Sequence, residues 1–188
     1  MIRIAIFASG NGTNAESIIK YFSDSTIARV VLVLSNNKNA KVLERANKLK
    51  ISTVCFDKED LYSSKSVEVL LKDQADFIVL AGFLCKIPVS IIQLYPDKIL
   101  NIHPALLPKY GGKGMYGDRV HKAVKQAKEK ESGISIHFVN EDYDKGRIVF
   151  QKSFEITSDM SVEDIAKKIH ELEHLHFPKV IEEVVKNN

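Results

Sequence analysis

Two kinds of apolar pattern alternate along most of the chain. Short unbroken runs, of which Val30-Val31-Leu32-Val33-Leu34 is the clearest, are separated by stretches with apolar residues at helical spacing. The runs predict strands over residues 3–8, 29–35, 53–56, 77–81 and 99–102. The stretches between and after them predict helices over 14–22, 40–50, 61–72, 89–94 and 118–129. Unbroken apolar strands belong in a sheet covered by helices on both faces. Strict alternation of strand and helix implies a doubly wound, mainly parallel α/β sheet, with its site at the carboxyl ends of the strands. After Gly133 the pattern changes: 134–139 and 147–156 read as an antiparallel C-terminal hairpin across the polar loop 140–146. A last helix opens at Ser161-Val162-Glu163-Asp164, a variant of the capping box, and Pro178 is expected to break or kink it. No repeat or linker interrupts the pattern, so one domain over 1–188 is expected.

Composition narrows the class. Apolar residues make up 45% and charged residues 27% of the 188, and the net charge is +3. That balance suits a globular protein with a sizeable core and is too mild to argue for nucleic acid. Met1-Ile2-Arg3-Ile4 begins a short apolar strand rather than a secretory leader, and no apolar span is long enough for a bilayer. Cys55 and Cys85 lack metal or redox spacing and read as reduced core thiols. The expectation is a cytoplasmic protein with small-molecule partners, without nucleic acid or membrane, as a monomer or weak homodimer.

The segment Asn101-Ile102-His103-Pro104-Ala105-Leu106-Leu107-Pro108 carries the sharpest chemistry. Side chains alternate along a strand, so Asn101 and His103 share one face, and Pro104 should end the strand just past them. A carboxamide beside an imidazole can stabilise an oxyanion while a proton moves. The plain alternative is a turn-capping Asn and a half-buried His. Further upstream, Ser9-Gly10-Asn11-Gly12-Thr13-Asn14-Ala15 joins the first strand to a helix. Glycines admit close backbone approach and a helix N-terminus favours an anion, so a phosphate fits there. The second strand ends Leu34-Ser35-Asn36-Asn37 with no carboxylate for a dinucleotide ribose, which favours a phosphorylated small molecule. The alternative is a glycine turn without a ligand.

Together with Leu80-Ala81-Gly82-Phe83 and His137-Phe138-Val139 leading to Asp144-Lys145-Gly146, these segments resemble the short, folate-dependent phosphoribosylglycinamide formyltransferases over essentially the whole chain. The Asn-x-His-Pro segment is shared with methionyl-tRNA formyltransferase and formyltetrahydrofolate hydrolase. Both usually carry a further domain, and the glycine turn points to the glycinamide ribonucleotide branch. The resemblance implies a metal-free formyltransferase-like fold and formyl transfer from 10-formyltetrahydrofolate to the amine of 5'-phosphoribosylglycinamide in purine synthesis. By the same resemblance Asn101, His103 and Asp144 are catalytic. Gly12, Thr13, Asn14, Pro104 and Glu173 hold the ribonucleotide, and Lys58, Phe83, Leu84, Cys85, Lys86, Ile87 and Asn101 border the folate, with the 140–144 backbone at the pterin. Asp144 beside His103 is expected to raise the histidine's titration.

The sequence departs from the commonest family pattern at Leu84-Cys85-Lys86-Ile87 and in the longer loop from Tyr110 to Gly117. A non-catalytic phosphometabolite-binding module is the alternative outside enzymes. His170-Glu171-Leu172-Glu173-His174 also matches the H-x-x-E-H pattern of some zinc peptidases, against the simpler expectation of solvated helix charges. The lysines of 122–130 read as the wet face of a helix.

Overall fold

A computed structural model describes residues 1–187. Its sheet has seven strands: β1 (Ile2–Phe7), β2 (Ala28–Ser35), β3 (Ser52–Cys55), β4 (Phe77–Leu80), β5 (Ile99–His103), β6 (Glu131–Phe138) and β7 (Ile148–Glu155). They lie in the order β3-β2-β1-β4-β5-β6-β7. The first five pair in parallel, while β6 and β7 are antiparallel additions at one edge. The doubly wound sheet with its C-terminal hairpin is therefore as the sequence predicts.

Alternation along β1 shows why the apolar runs are unbroken. Ile4 and Ile6 join one core layer, with Ile18, Val42, Ile165 and Phe177. Ala5 and Phe7 join the other, with Leu61, Leu71 and Ile91. Burying such side chains contributes about 1.5–3 kcal/mol each on both faces of the sheet. The covering helices are α1 (Thr13–Tyr21), α2 (Lys41–Lys48), α3 (Lys58–Tyr62), α4 (Ser66–Gln74), α5 (Val89–Leu94), α6 (Asp118–Gln126) and α7 (Val162–Asn187). Among the described residues no helix is long and apolar enough to cross a membrane.

Four expectations need correction. The helix expected over 61–72 is two helices, because a capping box between Asp57 and Asp60 starts α3 early. The chain then passes through Lys65 at φ 59 before α4. Pro178 does not break α7, which runs through it. Proline removes the N–H that would reach the carbonyl four residues back, that of His174, and the Ser17 hydroxyl approaches this oxygen at 3.4 Å. Gly133 does not mark the start of a strand but lies inside β6. A Cβ there would sit 2.0 Å from the Lys152 carbonyl oxygen of β7, so close pairing requires glycine. The cysteines are free, but Cys55 is exposed rather than a core thiol.

Strand order reverses between β1 and β4, where an open α/β sheet leaves a crevice at its carboxyl edge. The two loops leaving these strands are stitched together there. Ser9 N–H donates to Gly82 O at 3.0 Å, and Leu84 N–H donates to Ser9 Oγ at 3.0 Å.

Candidate active site

A cavity of about 570 Å³ opens at this crevice. It is lined by the glycine turn 10–14, residues 81–84, Asn101 to Pro104, the loop 112–117, Asp144 and Glu173. The glycine turn forms the entrance to α1. Gly12 stands at φ 79, in the left-handed region that glycine tolerates best, with no side-chain cap on the helix. The free N–H groups of the first turn are therefore available to an anion. Arg45 of α2 braces the turn, its Nε donating to Asn11 O at 2.9 Å and its Nη2 to Asn11 Oδ1 at 3.0 Å. Asn14 Nδ2 donates to Glu173 Oε2 at 2.9 Å, joining the turn to α7.

Replacing Gly12 by valine is expected to weaken binding of a phosphorylated ligand more than tenfold while leaving folate affinity nearly unchanged. Any Cβ at this site would meet Val42 at 2.5 Å, so a thermal melt should show lost stability as well. Calorimetric titration with each ligand separates the effects, and equal loss of both ligands would leave the turn a structural role only.

At the end of β5 the alternation places Asn101 and His103 together, and β5 stops before Pro104. Both side chains converge on Asp144, with Asn101 Nδ2 at 3.4 Å from Oδ1 and His103 Nδ1 at 3.6 Å from Oδ2. Gly112 N–H donates to Asp144 Oδ2 at 2.9 Å. His103 Nε2 donates to Tyr110 O at 2.8 Å, which leaves the lone pair of a neutral ring on Nδ1, facing the carboxylate. Tyr110 and Asp144, the two residues that hold His103, both take left-handed backbone, φ 58 and 54.

The expected upward shift of His103 is overturned. The residue is only 3% exposed. Burial pushes its pKa below the ordinary histidine value, outweighing Asp144 and the Tyr110 carbonyl, which pull it up. For Asp144 burial opposes ionisation, yet His137, His103 and the Gly112 N–H together hold its carboxyl below the usual aspartate range.

Sequence reasoning assigned no role to His137, although it paired His137-Phe138-Val139 with the family pattern. In the antiparallel register His137 lies opposite Asn101. Its Nδ1 donates to Phe138 O at 2.8 Å, and its Nε2 accepts from Asn101 Nδ2 at 3.0 Å. The imidazole therefore orients the carboxamide, with its second N–H directed at Asp144. The period-two spacing of Ser135 and His137 was a usable signal, but the register that brings them to β5 was not written in the sequence.

The folate residues divide. Phe83 and Leu84 line the main cavity. Phe83, Cys85, Lys86, Ile87, Asn101 and Asp144 border an adjoining cavity of about 70 Å³. Phe83 also packs on Phe7, with ring centroids 5.1 Å apart, and Ile87 is buried in the core. Lys86 Nζ stands 5.7 Å from the centroid of the Tyr143 ring. Lys58, at the start of α3, lines neither cavity. In α7, Glu173 is buried at the cavity with His170 Nδ1 3.0 Å from its Oε2, whereas His170, Glu171 and His174 are exposed, as expected of solvated helix charges. Among the described residues, no group of three or more His, Cys, Asp or Glu side chains is placed to hold a metal.

Residues 2–181 match the formyl transferase family, and the chain belongs to it. It is 41% identical over 186 residues to the chloroplastic phosphoribosylglycinamide formyltransferase of Arabidopsis thaliana, covering 95% of this chain and 64% of the plant protein. The chain thus spans less than two thirds of that relative's length. The phosphoribosylglycinamide formyltransferase of Bacillus subtilis is 35% identical over 192 residues, covering 98% of this chain and 95% of the relative. Among solved structures, glycinamide ribonucleotide transformylase 1 of Symbiobacterium toebii superposes with a TM-score of 0.90 at 28% identity, covering 100% of this chain and 89% of that one.

Proposed function

We propose that the chain, acting as one formyltransferase domain, transfers the formyl group of 10-formyltetrahydrofolate to the amine of 5'-phosphoribosylglycinamide, a step of purine synthesis. The observation that carries this is the convergence of Asn101 and His103 on Asp144 in the same cavity as the glycine turn. Formyl transfer needs such a set. The amine nitrogen attacks the formyl carbon, the carbonyl oxygen takes up negative charge, and the bond to the folate nitrogen then breaks. A proton leaves the amine and ends on that folate nitrogen.

Asn101 supplies an N–H to the oxyanion. Its contact to His137 is the shorter of its two, so the 3.4 Å contact to Asp144 is the one that opens for substrate. His103, with its pKa lowered, begins as a neutral base whose Nδ1 lone pair accepts the amine proton. The resulting imidazolium has both N–H groups placed, Nε2 on the Tyr110 carbonyl and Nδ1 facing Asp144. It then returns the proton to the leaving nitrogen.

Gly12, Thr13 and Asn14 hold the phosphate, and Glu173 and Pro104 the ribose. Phe83 to Ile87, with the 140–144 loop, border the folate. Lys58 lies farther out and reaches at most the folate tail. The reaction needs no metal, and we place the protein in the cytoplasm as a monomer or weak homodimer. Purified protein mixed with both substrates should change the folate absorbance in step with formation of the formylated ribonucleotide. Absence of product with either substrate in excess would overturn the assignment.

A further inference from the structure

His121 is the least explained polar group lining the main cavity. It is the fourth residue of α6, at the end of the first turn, is 2% exposed, and its Nδ1 is sealed from solvent with no hydrogen-bond partner. Buried polar groups of native proteins are nearly always paired, so an orphan of this kind calls for a reason. Burial pushes the ring's pKa down and His170 adds to this, while Glu173 and Asp118 oppose it. A neutral imidazole carries one N–H. Orphaned buried N–H groups are rarer than under-satisfied acceptors, so the proton belongs on Nε2 rather than on the sealed Nδ1. With Nδ1 closed off, the edge of the ring that borders the cavity carries the Nε2–H. Its cavity neighbours His170 and Glu173 lie at the end joined to the glycine turn through Asn14.

We infer that His121 is a binding residue, donating its Nε2–H to an oxygen of the phosphoribosyl group of the substrate. This rests on the proposed substrate and adds a residue that neither the motifs nor the resemblance assigns. An uncharged donor on α6 complements the N–H groups of α1. The phosphoribosyl group is thereby gripped from two helices, and selection falls on ligands with oxygens at both ends of that span.

The test compares wild type, His121→Leu and His121→Gln by calorimetric titration with ribose 5-phosphate, inorganic phosphate and 10-formyltetrahydrofolate. His121→Leu should lose at least tenfold in affinity for ribose 5-phosphate, keep folate affinity and melt no lower than wild type, since it removes an unpartnered polar group. His121→Gln, whose amide can take the place of the Nε2–H, should regain most of the affinity. A tenfold loss shared by inorganic phosphate places the bond on the phosphate, and a loss confined to ribose 5-phosphate places it on a sugar hydroxyl. The imidazole 15N signal of His121 should also move when ribose 5-phosphate is added. Unchanged affinity in His121→Leu, equal loss of folate binding, or a wild type that does not bind ribose 5-phosphate would each overturn the inference. A wild type that binds as expected yet forms no product would instead overturn the proposed reaction and leave this site standing.

Discussion

Alanine at His103 is expected to lower turnover by at least 10²–10³, the usual cost of removing a group that acts on charge developing in the transition state. Alanine at Asn101 should cost a similar factor. The two groups differ in how they fail. Without His103 the amine proton loses the imidazole that takes it up and returns it, whose Nδ1 stands 3.6 Å from the Asp144 carboxylate. Without Asn101 the oxyanion loses its N–H donor, and His137 Nε2 loses the partner it holds at 3.0 Å. Neither change should alter substrate affinity greatly, because both groups act mainly in the transition state. The double variant should cost less than the product of the two single losses, since the residues share Asp144 and act as a unit. Single-turnover kinetics with saturating substrates measures all three variants. Turnover within a few fold of wild type in either single variant would remove that residue from the mechanism.

The sequence was most legible where burial and alternation speak together. The five parallel strands follow from apolar runs that only a two-sided sheet can hide, and the Asn101–His103 face follows from the strand period. Other features depend on distances between parts of the chain far apart in sequence. Asp144 stands in a polar loop where an acid is ordinary, and only the resemblance singled it out; its left-handed backbone and its contacts to His103 and Gly112 appear only in the fold. The Tyr110–Gly117 loop read as a departure of unknown role. Folded, it supplies the carbonyl that holds His103 and the N–H that holds Asp144. The direction of His103's titration was misjudged for the same reason. A neighbouring carboxylate can be guessed from the resemblance, but the burial that outweighs it cannot be counted along a sequence.

Changing Asp144 to asparagine should expose that balance directly. Of the influences on His103, burial lowers its pKa, and Asp144 is the foremost of those raising it. Removing the negative charge while keeping the shape therefore lowers the pKa further. Whichever limb of the pH–rate profile His103 governs should move to lower pH, and NMR titration of the His103 ring should move the same way. Turnover should fall as well, because the imidazolium formed in the reaction loses the charge that faces its Nδ1–H. Affinity for the ribonucleotide should change little, since Asp144 makes no contact with the glycine turn or with Glu173 and its partners are Asn101, His103, His137 and Gly112. Stability has its own sign. A histidine whose folded pKa is depressed contributes stability that is full above the unfolded value, about 6.5. That contribution is lost as pH falls through the folded value. Asparagine at 144 lowers the folded value, so the window of loss linked to His103 should extend further into acid than in wild type. A second contribution disappears with the carboxylate itself. Asp144, held below the usual aspartate range, stabilises the fold above the unfolded aspartate pKa, and this is lost as pH falls through its folded pKa. Denaturant melts from pH 7 to pH 3 should show the wild type losing that increment at the acid end and the asparagine variant lacking it throughout. A His103 titration that stays in place, or rises, in the variant would mean that Asp144 does not act on the imidazole electrostatically.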